Sequence, residues 1–426
     1  MKRVLIISPY FPPSNMPDMQ RVRISLPFFK ENGWEAEVLT TDQQLSDAPK
    51  DPLLTKSIPK DILVHTVKAL NKKWTMRIGF GNIAYRSWWF YKQKGNDLLK
   101  QKQFDLIYFS TTQFSACTLG AYWRRRFGIP YVIDMQDPWH TDYYLNKPKH
   151  ERPAKHWLSY RVNKWLESKA MKDVGGLISV SPQYIADLKA RYPEIKDIPT
   201  AIITFGSSDQ DMAIAKKHGD DFPKLLNPTY KNVVYIGRGG TDMHKAITPF
   251  FESIKQGLSQ QPEAYNRLRL HFIGTSYAPQ DTGTPTILPL AKEYELEGII
   301  TEVTNRISYY HALSTIKQAD ALFIPGSDDA KYTASKIYPY LLSKKPLLAI
   351  FHRQSPAIST LKEFDATDVH NFDNDAHLQE HIRRFLMSVL EGKAIPPVYN
   401  ADALVRYSAK ELTRKQCELF DSVIES

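Results

Sequence analysis

A glycine-rich segment in the second half of the chain carries basic residues at positions suited to bind phosphate. It runs from an apolar strand through Gly237, Arg238 and two further glycines to the helix start at Lys245. Glycines let backbone N–H groups approach a phosphate, and a helix N-terminus favours negative charge. Arg238 can add a bidentate contact and Lys245 a point charge. The segment predicts an anion site, although an ordinary turn with solvated basic residues has the same composition.

A second polar segment follows a later apolar strand. That strand ends at Pro325, a loop containing Ser327 follows, and either Thr333 or Ser335 is expected to cap the next helix. The free N–H groups of residues 334–336 would then attract an anion such as a diphosphate. A plain capped helix without a ligand is the alternative interpretation.

Between Lys72 and Lys94, cations and large aromatic side chains alternate more densely than elsewhere in the chain. Such a segment can lie at a membrane interface, with its rings among the headgroups and its cations near acidic lipid. A buried aromatic helix with a solvated basic edge is the alternative. Nucleic acid would use the same chemistry, but no nucleic-acid motif accompanies the segment, so we expect none to bind.

Short apolar runs alternate with amphipathic stretches along the chain, which is the pattern of parallel sheets flanked by helices. The expected strands are Val4–Ser8, Ala36–Thr41, Ile62–Val67, Leu106–Ser110, Tyr131–Met135, Gly176–Val180, Ala201–Phe205, Val233–Gly237, Leu268–Gly274, Ile299–Val303, Ala321–Pro325, Leu347–Phe351 and Thr367–Asn371. The polar stretch 206–231 interrupts the alternation and is expected to connect two domains. We therefore predict an α/β protein with two doubly wound Rossmann-like domains, 1–206 and 207–400, and a long C-terminal helix over 401–426 that returns to the first domain. In such sheets ligands bind beyond the carboxyl ends of the strands, so two domains facing a cleft suit a two-substrate reaction.

The composition is that of a globular protein: 426 residues, of which 42% are hydrophobic and 24% charged. The net charge of +10 favours anionic partners. There is no run of ~20 apolar residues to span a bilayer, and the short apolar run at the N-terminus is better interpreted as a first strand than as a signal peptide. The two cysteines, Cys117 and Cys417, have no metal-ligand spacing and fit a reducing, cytoplasmic compartment.

The motifs resemble those of glycosyltransferases of the GT-B architecture, particularly the family 4 type, over nearly the whole length. The resembling stretches are 7–13 with Arg21 and Arg23, 28–40, 133–139, 205–209, Gly237-Arg238 with Lys245, and 335–341. The resemblance implies a nucleotide-sugar donor, UDP- or GDP-linked, and no metal. It places the donor against Gly237, Arg238, Lys245, Ser327, Thr333, Ser335 and Lys336.

The same resemblance places the acceptor in the first domain, near Asp18, Arg21 and Arg23, although the two arginines would equally serve as surface charge. Asp137 and His140, which follow a strand end, are the candidate catalytic pair. An inverting transferase needs such a base on the acceptor hydroxyl, whereas a retaining one needs mainly phosphate stabilisation. The sequence leaves both mechanisms open, and Asp137-Pro138 is also an ordinary turn start.

The chain departs from the family pattern at one pair of positions. Family members carry two glutamates that contact the donor, and Lys331 and Pro339 stand at the matching positions. Neither side chain can accept a hydrogen bond from a hydroxyl, so Asp328 or Asp329 would have to substitute. We expect transfer to a saccharide or lipid-linked acceptor in surface polysaccharide or glycolipid assembly, at the inner face of the membrane. A non-catalytic binding subunit and a sugar-nucleotide epimerase of the same architecture are the alternatives.

Overall fold

The computed structural model describes all residues except 78, 143–144, 146–147, 150–151, 153–155, 279, 331 and 333–335. The chain divides into two compact domains, one formed by Met1–Gly206 with Ser408–Ser426, and the other by Ser207–Tyr407. The strands are β1 (Lys2–Ile7), β2 (Trp34–Thr41), β3 (Leu63–Val67), β4 (Leu106–Ser110), β5 (Tyr131–Met135), β6 (Gly176–Ser179), β7 (Thr200–Ile202), β8 (Lys231–Ile236), β9 (Leu268–Ile273), β10 (Ile300–Val303), β11 (Ala321–Pro325), β12 (Leu347–Phe351) and β13 (Val369–Asn371).

The helices connect these strands. They are α1 (Gln20–Ser25), α2 (Lys72–Arg77), α3 (Ile83–Gln101), α4 (Thr118–Phe127), α5 (His156–Met171), α6 (Pro182–Arg191), α7 (Asp209–Lys217), α8 (His244–Gln260), α9 (Pro262–Tyr265), α10 (Leu288–Glu293), α11 (Tyr309–Gln318), α12 (Ile337–Ser343), α13 (Pro356–Glu363), α14 (Leu378–Leu390), α15 (Ala401–Arg406) and α16 (Ala409–Glu425). None of the helices in the described part is both long and apolar enough to cross a bilayer.

Each domain is built on one parallel sheet. The first sheet has the order β3-β2-β1-β4-β5-β6-β7, and the second has the order β10-β9-β8-β11-β12-β13. In both, the chain moves outward in one direction and then restarts in the other, so a switch point lies between β1 and β4 and between β8 and β11. A crevice opens at such a point beyond the strand ends, which is where ligands bind in doubly wound sheets. The predicted fold class is confirmed.

Apolar side chains cover both faces of the first sheet. On one face α3, α4 and α5 bury Tyr91, Trp123 and Met171 in a shared cluster. On the other face the C-terminal helix α16 buries Phe420, whose ring contacts Trp34 at 5.4 Å between centroids. Fully buried strands carry continuous apolar runs because both of their faces are covered.

Two segments differ from the sequence-based expectation. The stretch 206–231 is not merely a connection, because α7 lies within it and packs against α11, with Ala215 buried. Ser208 caps α7 by accepting a hydrogen bond from the Asp211 N–H. The expected single helix over 401–425 is two helices, since Ser408 caps a new one and Tyr407 packs against Phe364 of the second domain.

The pattern of residues 17–32, followed by Gly33, predicts one helix that stops at the glycine, but this helix is interrupted. Only Gln20–Ser25 is α-helical, and one-turn 3-10 helices precede and follow it. Pro17 and Pro27 each lack an N–H and restrict the backbone before them, which breaks a regular helical ladder. Gly33 ends the segment in the left-handed conformation, with φ of 79°, as the sequence predicted.

Candidate active site

In the first domain, a buried ion pair lies at the carboxyl ends of β1, β4 and β5. Nε of Arg21 lies 2.6 Å from Oδ2 of Asp134, and both side chains are almost fully buried. The same oxygen accepts hydrogen bonds from Ser110 and Gln136, each at 2.9 Å. Arg21 also donates to the Ile203 carbonyl at 2.7 Å. Arg21 is therefore a buried anchor of the sheet edge and not a surface charge.

Asp18 is fixed to the neighbouring strand end. Its Oδ2 accepts hydrogen bonds from the Thr111 hydroxyl at 2.9 Å and the Thr112 N–H at 3.1 Å. Its Oδ1 is buried and has no hydrogen-bond partner among the described residues. Burial raises the pKa of Asp18 despite those two donors. The switch point of the first sheet thus holds a carboxyl group with one unsatisfied oxygen.

Asp137 lies beside this cluster and is exposed. Partial loss of hydration on its inner side, together with the negative charges of Asp18 and Asp134, raises the pKa of Asp137 to about 6. A carboxylate with a pKa near neutrality is suited to accept a proton from a hydroxyl. The geometry therefore supports the predicted role of Asp137, which stays a prediction.

His140 and Arg23 belong to other networks. Nδ1 of His140 lies 2.7 Å from Nη1 of Arg191 and 3.1 Å from Oε1 of the fully buried Glu167. Arg23 is fully buried and donates to the Ser57 hydroxyl at 2.7 Å, so it is not surface charge. The paired role of His140 with Asp137 stays a prediction, and Glu167 was not foreseen because nothing in its helical sequence marks it as buried.

In the second domain, a cavity of about 520 Å³ opens beyond the ends of β11, β12 and β13 and beside the start of α8. Its lining residues are His244, Lys245, Thr248, Pro249, Asp328, His352, Phe372, Asp373 and Leu378. Lys245 occupies the first turn of α8, where free N–H groups and the helix dipole attract anions. The predicted residues Lys245 and Asp328 therefore line one cavity at the switch side of the sheet.

Arg238 is paired within the protein. Its two terminal nitrogens contact the two carboxylate oxygens of Asp242 at 3.0 and 2.6 Å, and its guanidinium lies 5.3 Å from the Tyr332 ring centre. Ser327 donates to the same carboxylate at 2.7 Å, and the Asp328 N–H donates to the Asp242 carbonyl at 2.8 Å. Burial acts against ionisation, yet these donors hold the pKa of Asp242 below its ordinary value. Asp242 thus binds Arg238 and Ser327 through its carboxylate and contacts the cavity-lining residue Asp328 through its carbonyl.

Lys336 reaches the turn that follows β8. Its ammonium nitrogen lies 2.5 Å from the Tyr235 hydroxyl and 4.3 Å from the centre of that ring. Burial, together with the positive charge of Arg238, lowers the pKa of Lys336 to about 7. A Cβ at Gly237 would overlap the ammonium group, and one at Gly240 would overlap the Asp242 carboxylate. The space these glycines leave is therefore filled by charged side chains, whereas the sequence suggested close backbone approach by phosphate.

The predicted helix cap lies outside the described residues, because Thr333 and Ser335 are both among the gaps. The helix itself, α12, starts at Ile337 and buries Ile337, Tyr340 and Leu341, whose three- and four-residue spacing places them on one face. Pro339 falls in the first turn of α12, where a missing N–H removes no helical bond.

Among the described residues, His370, Asp375 and His381 lie close enough together to hold a metal ion. Asp375 Oδ2 lies 3.1 Å from Nδ1 of His370 and 3.3 Å from Nδ1 of His381, and the two imidazole rings are stacked. Hydrogen bonding from both rings to one carboxylate accounts for this arrangement. The expectation that transfer requires no metal stays a prediction.

Comparisons with known proteins identify a matching family model and similar folds. The glycosyl transferase 4-like domain matches residues 29–201. HepE from Anabaena, in complex with UDP, is similar with a TM-score of 0.57 and 14% identity over 99% of this chain and 100% of that chain. The N-terminal domain of Candida albicans trehalose-6-phosphate phosphatase has a TM-score of 0.62 at 14% identity, over 99% of this chain and 97% of that chain. No curated protein matches by sequence.

A third similar structure is the UDP-forming α,α-trehalose-phosphate synthase of Burkholderia xenovorans, in complex with glucose-6-phosphate. Its TM-score is 0.54 at 12% identity, over 99% of this chain and 98% of that chain. At such identities the structures establish the fold, which is GT-B. The sequence match to a glycosyl transferase 4-like domain covers residues 29–201 and lies entirely within the first domain.

Proposed function

We propose that the protein transfers a sugar from a nucleotide-sugar donor, bound by the second domain, to a saccharide or lipid-linked acceptor at the first domain. The observation that carries the donor half is the cavity at the start of α8, where Lys245 and the free N–H groups of a helix of 17 residues meet Asp328. Such a site attracts a diphosphate, while Asp328 can accept a hydrogen bond from a donor hydroxyl. Asp328 would thereby substitute for the missing family glutamates.

The similar structures favour uridine as the base. HepE is in complex with UDP, and the Burkholderia synthase is UDP-forming. A cavity of about 520 Å³ is within the range of pockets for ligands of this size. We propose a UDP-linked sugar as donor, with a GDP-linked sugar as the second choice.

For the acceptor half, we propose that Asp137 accepts the proton of the attacking hydroxyl. Its pKa of about 6 leaves it ionised and still basic near neutral pH. We further propose a lipid-linked acceptor of surface polysaccharide or glycolipid assembly, because the segment Lys72–Lys94 exposes Trp74, Phe80 and Trp89 beside its cations. Exposed rings among basic residues fit the interface of an anionic membrane.

Calorimetric titration with UDP, GDP and several sugar nucleotides tests the donor half. We expect Lys245→Ala and Arg238→Ala to weaken donor binding by at least about tenfold, since each removes a cation from the diphosphate region. Lys292→Ala, an exposed lysine of the same domain, is the matched control. Equal affinity of all three variants and the parent would refute the donor site.

A non-catalytic binding role is the second candidate. It is favoured by the guanidinium group of Arg238, which is already paired within the protein. Both terminal nitrogens of Arg238 are used by Asp242, and the family glutamates are absent. A screen for hydrolysis of sugar nucleotides distinguishes a transferase from a binding subunit, because a binding subunit leaves every sugar nucleotide intact. An epimerase would convert the donor without any acceptor present.

A further inference from the structure

The outer face of α5 exposes tryptophans that the sequence analysis did not single out. Trp157 and Trp165 are 64% and 59% exposed, and Leu158 is 45% exposed. Positions 157, 161 and 165 follow one another at four-residue spacing, so they form a single stripe along the helix. Arg161 lies over the Trp157 ring, its guanidinium carbon 5.8 Å from the ring centre. Several large apolar rings exposed on one face of a helix, each next to a cation, indicate a surface that binds a partner.

The same pairing recurs on the other side of the helical layer. Trp89 of α3 is 54% exposed, and the Lys92 ammonium lies 5.9 Å from its ring centre and 4.6 Å from that of Tyr122 in α4. At the far end of α5, the Lys169 ammonium lies 5.8 Å from the ring centre of Trp165. Cation–aromatic pairs thus occur on both α3 and α5, with α4 between them.

These helices form one layer. The backbone of Gly95 in α3 packs directly on the Trp123 ring of α4, and Trp123 donates to Asn96 at 3.1 Å. Ala170 of α5 belongs to the same buried cluster, and its carbonyl accepts a hydrogen bond from Tyr131 at 2.7 Å. Because α3, α4 and α5 bury their inner faces in one cluster on one side of the sheet, their outer faces form a continuous surface.

This surface holds the positive charge of the protein. Helices α3, α4 and α5 contain ten Lys and Arg but two Asp and Glu, a surplus of eight, whereas the whole chain has a net charge of +10. One of the two acidic residues, Glu167, is fully buried. Beyond α5, Asp173 pairs with Arg125 at 2.9 Å. The rest of the chain is therefore nearly neutral, and its charge is concentrated on this face.

We propose that the outer surface of α3, α4 and α5, hereafter the basic layer, docks the protein on an anionic lipid bilayer. Basic residues attract acidic headgroups, and Trp rings favour the headgroup level. The basic layer extends the membrane contact suggested for Lys72–Lys94 and rests on that part of the proposed function, but it requires no sugar-transfer chemistry. A bilayer is favoured over nucleic acid because the exposed tryptophans lie on helices and each is next to a cation, as in an interfacial helix.

Co-sedimentation of the full chain with vesicles tests the proposal. We expect binding to vesicles of phosphatidylcholine with phosphatidylglycerol, and little binding to phosphatidylcholine alone. Arg161→Glu with Lys164→Glu should weaken vesicle binding by more than about tenfold at low salt. Trp157→Ala with Trp165→Ala should weaken it at low and at high salt, because the apolar contribution is not screened.

Lys292→Glu with Lys362→Glu is the matched control, since both lysines are exposed in the second domain and the change in net charge is the same. We expect it to sediment like the parent. Unchanged binding of the Arg161/Lys164 variant, or equal losses in variant and control, would overturn the proposal. Binding of duplex DNA that matches vesicle binding and ignores the tryptophan variant would also overturn it. UDP affinity, measured on the same variants, reports separately on the donor site.

Discussion

The ammonium group of Lys336 occupies the space into which any side chain at Gly237 would project. The helix after β11 thereby supplies a cation to the turn after β8, across the switch point of the second sheet. The absence of a side chain at 237 is what permits this approach.

Gly237→Ala should therefore displace Lys336 from the Tyr235 hydroxyl. We expect donor affinity to fall by about tenfold, the loss of one charge-assisted hydrogen bond. The positive φ of Gly237 adds backbone strain to the substitution, so the stability of the variant is measured alongside its affinity. Calorimetry with UDP measures the change. Gly392→Ala is the control, since this glycine of the same domain also has a positive φ and nothing lies within 4 Å of a Cβ at that position. Parent-like affinity of Gly237→Ala would show that Lys336 does not contact the donor.

Donor binding should also take up a proton near neutral pH. Burial lowers the pKa of Lys336 to about 7, so this group is partly neutral there. A diphosphate stabilises the cation and raises that pKa, so affinity should decline as pH rises above about 7. Titrations in two buffers of different ionisation enthalpy measure the uptake. Lys336→Met should abolish it, and an unaltered uptake in this variant would assign the proton to another group.

Asp137→Asn should reduce the transfer rate by about 10²–10⁴-fold, the usual contribution of a general base. The raised pKa of Asp137 means that the parent should lose activity as pH falls through about 6, where the carboxylate becomes protonated. The pH profile of transfer checks this, and UDP affinity should not change. A parent-like rate in Asp137→Asn would point to a mechanism without this base. The His140 ring contacts Glu167 and Arg191, so His140→Gln should reduce the transfer rate less than Asp137→Asn does.

Phe420→Ala should destabilise the first domain. The ring is fully buried against Trp34 and Tyr108, with centroids at 5.4 and 5.0 Å. Removing a buried phenyl group lowers the free energy of unfolding by about 3–5 kcal/mol. Denaturant unfolding measures this loss. Phe80→Ala, the same substitution at a side chain 44% exposed in the same domain, should change it far less. Equal losses would mean that α16 is not part of the core.

Most strands were predictable from the sequence. Leu106–Ser110, Tyr131–Met135, Ala321–Pro325 and Leu347–Phe351 agree with the structure to the residue. Short continuous apolar runs between polar turns are typical of strands in a parallel sheet whose two faces are both covered. Helix α7 was not predicted because its sequence is polar. Its stability comes from contacts with residues distant in sequence, such as the hydrogen bond that the Tyr310 hydroxyl donates to the Asp211 carboxylate.

The strand ends around the candidate site were predictable from the sequence, but the pairing of its side chains was not. Gly237 and Arg238 directly follow β8, as expected, and their role in binding a ligand stays a prediction. The partner of Arg238 is at least local in sequence, because Asp242 stands four residues away. By contrast, the proximity of Lys336 to Gly237 and of Glu167 to His140 joins residues that only the folded chain brings together.

The returning C-terminal helix has a practical consequence. The chain leaves the first domain after Gly206 and rejoins it at Ser408, and the Ser207 N–H donates to the Tyr407 carbonyl at 2.9 Å. The second domain is therefore an insertion whose two ends are already adjacent. A short glycine linker from 206 to 408 would excise it and leave an uninterrupted first domain, on which vesicle binding and the proposed acceptor binding could be measured in the absence of the second domain.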